Sequence, residues 1–355
     1  MDNLAHALVG AALGRATADG RVPRAALLGA VAANLPDLTE LLYRRPLRGI
    51  TYLELHRGFT HSVAGAALEI AAGTVLVGIV LAWRARKTGG AVPWGSLLAL
   101  FVVTVASHLY MDWQGSYGLR PFLPWSGRWY YADWVAIVDP FFWLLPLIAL
   151  AWGSERHWRP LTAVVLLGAL MTWVVVASGE AATWVQIAWI VLALVGAYGW
   201  VAHWAGVAAR RQVAALAVAL LGAYALASGL ASWPVKARTA RAARQRFGAA
   251  AQWAVLTRPG RPFTWEPVLA GPDSIAGPDW TVARHLDVPV VRRALATPDG
   301  AAIAQFARFL TADVDSSGTG TTVYLRDARY ALAGRRGWAV VVVRLEPAVS
   351  VPRNP

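Results

Sequence analysis

The chain has no cysteine among its 355 residues. Disulfide bonds and thiolate metal ligands are therefore excluded, and any metal ion would have to bind histidine, aspartate or glutamate. Charged residues are also scarce, at 15% of the sequence, whereas hydrophobic residues reach 57% and the mean hydropathy is +0.45. This composition is too apolar for an ordinary soluble protein of this length and indicates a membrane protein.

Acidic residues are the scarcest charged type, since 20 Asp and Glu stand against 33 Lys and Arg and give a net charge of +13. The excess fits two interpretations, namely arginines that flank membrane spans and attraction to anionic lipid head groups. No nucleic-acid-binding module accompanies the charge, so we expect membrane lipid as a partner and no nucleic acid binding. The first residues lack a basic segment, and no cleavable signal peptide is expected.

Six apolar stretches approach the length of about 20 residues that a membrane span needs. They cover residues 62–83, 94–110, 134–152, 161–178, 184–204 and 213–233. Two shorter helices, 4–16 and 24–35, precede them and could form a hairpin. The sequence therefore predicts an integral protein of a bacterial-type inner or cell membrane.

The character of the sequence changes after Pro234. A basic, helical run at 236–246 is followed by turn signals and β-branched stretches, which predict strands at 263–269, 280–286, 321–325 and 338–345. Ile303, Phe306 and Leu310 have the spacing of an amphipathic helix. The predicted fold is mainly α, a polytopic helical membrane domain with a small C-terminal α+β domain. The expected divisions are a metal-site membrane domain at 1–153, additional transmembrane helices at 154–234 and an extramembrane domain at 235–355.

Histidine and aspartate recur at the ends of the apolar stretches. The motif HRGFTHS places His56 and His61 at the start of one stretch, and SHLYMDW places His108 and Asp112 at the end of the next. Residues four apart on a helix project from the same face, so the second pair can bind one ion from a rigid element. Ionisable groups are costly at membrane depth, and their recurrence indicates a function.

Two further candidate ligands come from the N-terminal helices. His6 lies near the start of the first helix and Asp37 near the end of the second, so a hairpin would bring them to the same end. His6 alone is a weak signal, and Asp37 after a proline also fits a helix cap. Together the segments predict a site for one or two divalent metal ions, with zinc favoured and manganese or iron as alternatives. Its ligands are His6, Asp37, His56, His61, His108 and Asp112.

Several neighbouring residues fit supporting roles in catalysis. Glu54 and Asp139 could orient a ligand histidine or accept a proton. Arg57 could steady an anionic substrate oxygen, or it could contact lipid head groups. Glu69 is offset from His61 by about 80° around the helix, which fits a hydrogen-bonding partner rather than a direct ligand.

Two features bear on how the site meets the membrane. The aromatic segment 117–134 is either a belt that fixes helix depth or a lid that admits lipid head groups. Short loops rich in arginine and lysine are normally cytoplasmic, which predicts that the site faces away from the cytoplasm. Arginines at 44, 45 and 48 and the basic run 236–246 oppose this orientation. The residues that favour it are Arg84, Arg86, Lys87, Arg156, Arg159, Arg210 and Arg211.

Five blocks in order carry a resemblance to a known family: MDNLAHALVG, NLPDL, HRGFTHS, SHLYMDW and WVAIVDPFF. Their combination resembles the YdjM-type membrane-bound proteins, which are predicted metal-dependent hydrolases, over roughly the first 150 residues. That family is regarded as distantly similar to zinc-dependent phospholipase C and S1/P1-type nucleases. The resemblance implies the same six ligands and hydrolysis of a phosphoester. The chain lacks the further His-x-x-x-Glu helix and the ligating amino terminus of the soluble enzymes, so three metal ions are not expected.

The leading hypothesis is a membrane-bound metal-dependent hydrolase that acts on a small-molecule or lipid phosphoester. One alternative is an ion-handling transporter, because histidine and aspartate in spans also mark cation pathways. However, a pathway would distribute polar groups across the membrane, and the later spans have almost none. The other alternative is a scaffold in which a structural metal ion ties the N-terminal helices together.

Overall fold

A computed structural model describes residues 1–42, 53, 55–152, 158–202, 207–317 and 320–346. The chain divides into two compact units. The first comprises Met1–Leu41, Arg57–Trp233 and Thr257–Trp265, and the second comprises Leu42–His56, Pro234–Leu256 and Glu266–Pro355. Eleven α-helices and seven strands lie in the described ranges. This confirms the predicted class of a mainly helical membrane protein with a C-terminal α+β region.

The chain starts with three short helices, α1 (Asn3–Ala18), α2 (Ala25–Ala32) and α3 (Leu35–Leu42). The carboxylate of Asp2 caps α1 by accepting a hydrogen bond from the Ala5 amide at 2.9 Å. Helices α1 and α2 form the expected hairpin. A Cβ atom on Gly29 would lie only 2.2 Å from the Gly10 carbonyl oxygen, so the glycines permit this close approach.

Four helices are long and apolar enough to cross a membrane: α4 (Val63–Thr88), α5 (Trp94–Trp113), α8 (Thr183–Ala202) and α9 (Val207–Phe247). The Ser62 hydroxyl caps α4 by accepting from the Gly65 amide at 3.0 Å. Helix α9 continues through Pro234 and contains the basic run at 236–246, so the predicted helical character of that run is confirmed. The protein is therefore an integral membrane protein.

Two further helices in this unit are α6 (Pro140–Trp152) and α7 (Trp158–Ala177), whose apolar parts are shorter. The prediction of a span over 134–152 was wrong at its start, because the helix begins only at Pro140. The preceding Asp139 carboxylate accepts from the Phe141 amide at 2.9 Å and caps the helix there. Its hydrogen bond and the irregular chain before it limit α6 to 13 residues.

Buried apolar side chains hold the helices of the first unit together. One cluster, built around the fully buried Trp189, joins α1 through Leu8 to α6 through Leu147. A second cluster joins α2 through Ala25 to α5 through Leu97 and Phe101. The N-terminal hairpin is thus packed on both α5 and α6, and this packing positions the candidate ligands described below.

The second unit contains two antiparallel sheets. The first has the order β1 (Gln252–Thr257), β2 (Trp265–Ala270), β3 (Ser274–Ala276) and β4 (Thr281–Ala283). The second has the order β5 (Leu310–Ser317), β6 (Gly320–Asp327) and β7 (Val340–Leu345), with Val323 opposite Val314 and Val343.

The C-terminal predictions were partly right. The four predicted strands correspond to β2, β4, β6 and β7, whereas β1, β3 and β5 were missed. Two helices, α10 (Pro289–Leu295) and α11 (Pro298–Phe306), lie between the sheets in sequence. Ile303 and Phe306 are buried on α11 as expected. Leu310 is not part of that helix but begins β5, because α11 ends at Phe306.

Candidate metal centre

Five of the six predicted ligands lie together in the first unit. His6 is near the start of α1, and His61 is in a short 3-10 turn, Phe59–His61, that leads into α4. His108 and Asp112 lie on one face of the last turns of α5, as their spacing predicted. Asp37 is in the first turn of α3, not near the end of the second helix as expected. All are buried except Asp37, which is half-buried.

Three of these side chains place their ligand atoms in a tight triangle. Nε2 of His61 lies 3.1 Å from Nε2 of His108. Each of these nitrogens lies 3.5 Å from Oδ2 of Asp112. Ligand atoms about 2.0–2.1 Å from a tetrahedral zinc ion are themselves about 3.3–3.4 Å apart. The triangle therefore has the dimensions of one face of a zinc site.

Asp37 and His6 extend the cluster beyond the triangle. Oδ1 of Asp37 lies 3.0 Å from Nε2 of His61 and 3.6 Å from Nε2 of His108. The His6 ring stacks on His108 with centroids 3.8 Å apart, and its Nε2 lies 3.2 Å from Oδ1 of Asp112. Two sets of three ligand atoms within 4.8 Å of one another result: His6, Asp37 and His108, and His61, His108 and Asp112.

The orientation of His108 is set by the backbone of the N-terminal hairpin. Its Nδ1 lies 2.7 Å from the carbonyl oxygen of Ala33, directly after α2. A carbonyl oxygen only accepts hydrogen bonds, so Nδ1 carries a proton, and Nε2 is the nitrogen of this ring that could bind a metal ion. Metal-binding histidines are held in this way by a hydrogen bond from the second ring nitrogen.

Burial keeps two of the imidazoles neutral. Loss of solvent around His6 lowers its pKa to about 3, and the same effect lowers the pKa of His61 to about 4. Burial alone would raise the pKa of the Asp37 carboxyl, but the hydrogen bond with His61 and the neighbouring His108 lower it below its usual value. Neutral imidazoles and an ionised carboxylate are the protonation states that bind a metal ion.

Two nitrogen groups contact the far oxygen of Asp112. The guanidinium of Arg57 donates to Oδ1 of Asp112 at 2.8 Å and to the carbonyl oxygen of Gly118 at 2.7 Å, and it stacks on the Tyr117 ring at 4.5 Å. The α-amino group of Met1 contacts the same Oδ1. A second metal ion at this oxygen would have to compete with both groups. The arrangement therefore fits one ion on the Oδ2 side of Asp112 better than two.

The remaining predicted residues belong to neither of these sets wherever the structure describes them. His56 belongs to the second unit and is in neither set of close ligand atoms within the described ranges. Glu54 lies outside the described residues. Asp139 caps α6 and accepts a hydrogen bond from the Tyr224 hydroxyl at 2.6 Å. Burial raises the pKa of this Asp139 carboxyl to about 6. Their ligand and catalytic roles stay predictions.

Sequence reasoning missed two groups at the site. The contact of the Met1 α-amino group with Asp112 joins positions 111 residues apart, and the sequence carries no local signal for it. Glu69 was considered as a partner of His61 or as a hydrogen-bonding group between helices, but not as a neighbour of His108 and Asp37, with which it interacts electrostatically. Its position as an isolated carboxylate in a membrane span was the signal that could have marked it.

The fold and the cluster together define a class: a polytopic helical membrane protein with buried histidine and aspartate side chains gathered at the ends of its helices. The family model described as YdjM inner membrane protein matches residues 1–182, just over half of the chain, and includes every residue of the cluster. The chain belongs to this family. No curated protein and no solved structure matches the chain.

Proposed function

We propose that the protein is a membrane-bound metal-dependent hydrolase of phosphoesters, and that His61, His108 and Asp112 bind one divalent ion, with zinc favoured. One observation carries the proposal. Nε2 of His108 faces Nε2 of His61, Oδ2 of Asp112 and Oδ1 of Asp37 at 3.1 to 3.6 Å. A divalent ion that replaces the protons shared by these atoms could be bound by His61, His108 and Asp112 together, with Asp37 beside them.

The number of ligands favours a catalytic ion over a structural one. Each set of close ligand atoms contains three residues, and catalytic zinc sites use three protein ligands and keep a fourth position open. A bound ion would supply a Lewis acid and a water molecule of lowered pKa. The donor set of imidazoles and carboxylates, without thiolates, fits this chemistry.

The side chains of the cluster have distinct roles in this proposal. His108 is oriented by the Ala33 carbonyl oxygen. His61 contacts Asp37 as well as the other two members of the triangle. Asp37 is half-buried at the edge of the cluster, so its carboxylate can hold or accept a proton from a water molecule there. Arg57 neutralises Asp112 and keeps its Oδ2 directed at His61 and His108.

The substrate class and the orientation follow from charge and from the position of the site. The arginine-rich loops favour a cluster on the side away from the cytoplasm. A divalent ion at the membrane surface could polarise a phosphoryl oxygen of such a substrate. Membrane lipids and lipid-linked intermediates supply phosphoesters at this depth.

Metal analysis of the purified protein tests the proposal. Wild-type protein is expected to contain close to one zinc or similar ion per chain, and the pair His61→Ala with His108→Ala is expected to lose it. His285→Ala, in the second unit, is the control and should keep the ion. An unchanged metal content in the double variant would refute the proposed ligands.

Activity is the second measurement. Detergent-solubilised protein is expected to hydrolyse at least one member of a panel of phospholipids and soluble phosphodiesters, and a chelator should suppress this activity. A protein that holds its ion but hydrolyses none of the panel would favour the scaffold hypothesis instead.

A further inference from the structure

The burial of the cluster is uneven, which points to the side from which a substrate arrives. His6, His61, His108 and Asp112 are almost fully buried. The segment 117–135 lies near them through Tyr117, which stacks on Arg57, and this segment is buried at its two ends and exposed between them at Phe122 and Trp125. In the part of the chain that the structure describes, Asp37 on α3 is the most accessible member of the cluster, with 10% of its side chain exposed.

Glu69 lies on the membrane-spanning helix α4. It interacts electrostatically with Asp37 and His108 and belongs to neither set of close ligand atoms. Its Oε2 is buried and has no hydrogen-bond partner among the described residues. Buried polar atoms are normally hydrogen-bonded, and an unpaired carboxylate in a membrane span is costly, so this oxygen indicates a bound polar molecule.

Exposed apolar side chains lie next to Asp37 and Glu69 in the sequence. Leu38 follows Asp37 on α3 and is 43% exposed, and Leu68 precedes Glu69 on α4 and is 62% exposed. Helix α4 packs mainly on α5, and close packing between α3 and α4 is not seen in the described ranges. Exposed leucines on a membrane-spanning helix face the hydrocarbon region of the bilayer. The polar groups of Asp37 and Glu69 and the neighbouring leucines together match a lipid, whose phosphoester would lie at the cluster and whose acyl chains would lie in the bilayer.

We infer that the substrate is a phosphoester lipid that reaches the cluster sideways from the bilayer, between α3 and α4, with its head group beside Glu69 and its chains against Leu38 and Leu68. This inference rests on the proposed function and narrows it to a membrane lipid. It assigns Glu69 a role as a positioning residue for the head group, which explains its buried oxygen.

Photo-crosslinking in vesicles tests the route. The full chain is reconstituted with zinc into vesicles of phosphatidylethanolamine that contain a phosphatidylglycerol analogue with a photoreactive head group. Crosslinks that depend on zinc are expected on the peptides with Leu38 and Glu69. Zinc-dependent crosslinks confined to 117–135 would overturn the inference and leave the proposed hydrolase intact. A wild-type protein that binds no zinc would refute both.

Two pairs of variants sharpen the test. Leu68→Trp is expected to reduce the zinc-dependent crosslink severalfold, whereas Leu76→Trp should not. Leu76 is the matched control because it is on the same helix and is 64% exposed against 62% for Leu68. Glu69→Leu is expected to reduce the crosslink, and Glu69→Gln should retain most of it. Bound zinc, measured in each variant, shows that the cluster is intact. Equal crosslinking by Leu68→Trp and Leu76→Trp would contradict the route.

Discussion

Removing the guanidinium of Arg57 should destabilise the protein strongly, because it leaves the buried Asp112 short of a cation. The closest approach of this pair, 2.8 Å, corresponds to an attraction of about 6 kcal/mol at an effective dielectric constant of about 20, before the loss of solvation is subtracted. Breaking a buried ion pair by removing one partner typically costs about 3–5 kcal/mol. We expect Arg57→Ala to lower the free energy of unfolding by an amount within that range.

Arg57→Lys provides a matched control. Lysine keeps the positive charge but lacks the planar fork that reaches both Asp112 and the Gly118 carbonyl oxygen, and it stacks less well on Tyr117. We expect about half of the loss seen with alanine. Tryptophan fluorescence during chemical denaturation in detergent micelles measures both variants, in the presence of a chelator.

Zinc should reduce the penalty of Arg57→Ala, because a bound dication also neutralises Asp112. The difference between wild type and variant is therefore expected to be smaller with zinc than with a chelator. The reasoning would be refuted if Arg57→Ala unfolded within about 1 kcal/mol of wild type in the chelator. It would also fail if zinc left the difference unchanged.

Three further outcomes are expected. Gly29→Leu should destabilise the α1–α2 hairpin by roughly 1–3 kcal/mol and lower the zinc content, because any Cβ there meets the Gly10 carbonyl oxygen. Gly222→Leu, where a Cβ has open space, should change neither quantity. Chemical denaturation measures the stability of both variants, and metal analysis measures their zinc content. Asp139 should contribute a fall in stability as the pH rises from about 4 to about 6, because the unfolded chain ionises Asp139 near its ordinary pKa of 3.8 while the folded chain holds the proton until about 6. The lowered pKa values of His6 and His61 act in the opposite direction, so the quantity to measure is the stability of wild type minus that of Asp139→Asn. This difference should fall by up to about 3 kcal/mol across the range, and a difference that does not change with pH would contradict the prediction. Reporters fused at Arg86 and at the C-terminus should lie on opposite sides of the membrane, and a shared side would reject the proposed topology.

Local rules predicted the parts of the site that lie within one element. The four-residue spacing of His108 and Asp112 fixes their shared face wherever the helix forms, and His61 had to lie at the edge of a span. Asp37 was misplaced because the helix was extended through the turn at Ala33. The proline at position 36 marks the first turn of a new helix and was the signal for the break.

Contacts between distant segments lay beyond these rules. The approach of Asp112 to Met1 and Arg57 depends on how α1 packs against α5, which no pattern in either helix specifies. The length of α6 was overestimated because hydropathy does not show where a helix begins. The helix start is set by the cap at Asp139. The strands β1 and β3 lack strong alternation, so only tertiary packing reveals them.

The partner of His108 Nδ1 is a main-chain oxygen, and this has an evolutionary consequence. No substitution at position 33 can delete that acceptor, so the tautomer of His108 depends on the path of the backbone rather than on the identity of a neighbouring side chain. Any residue that fits the buried space at position 33 therefore keeps the acceptor. Loss of the proposed zinc binding through this hydrogen bond would come from insertions or deletions around Ala33, between α2 and α3, which shift the register of the whole turn.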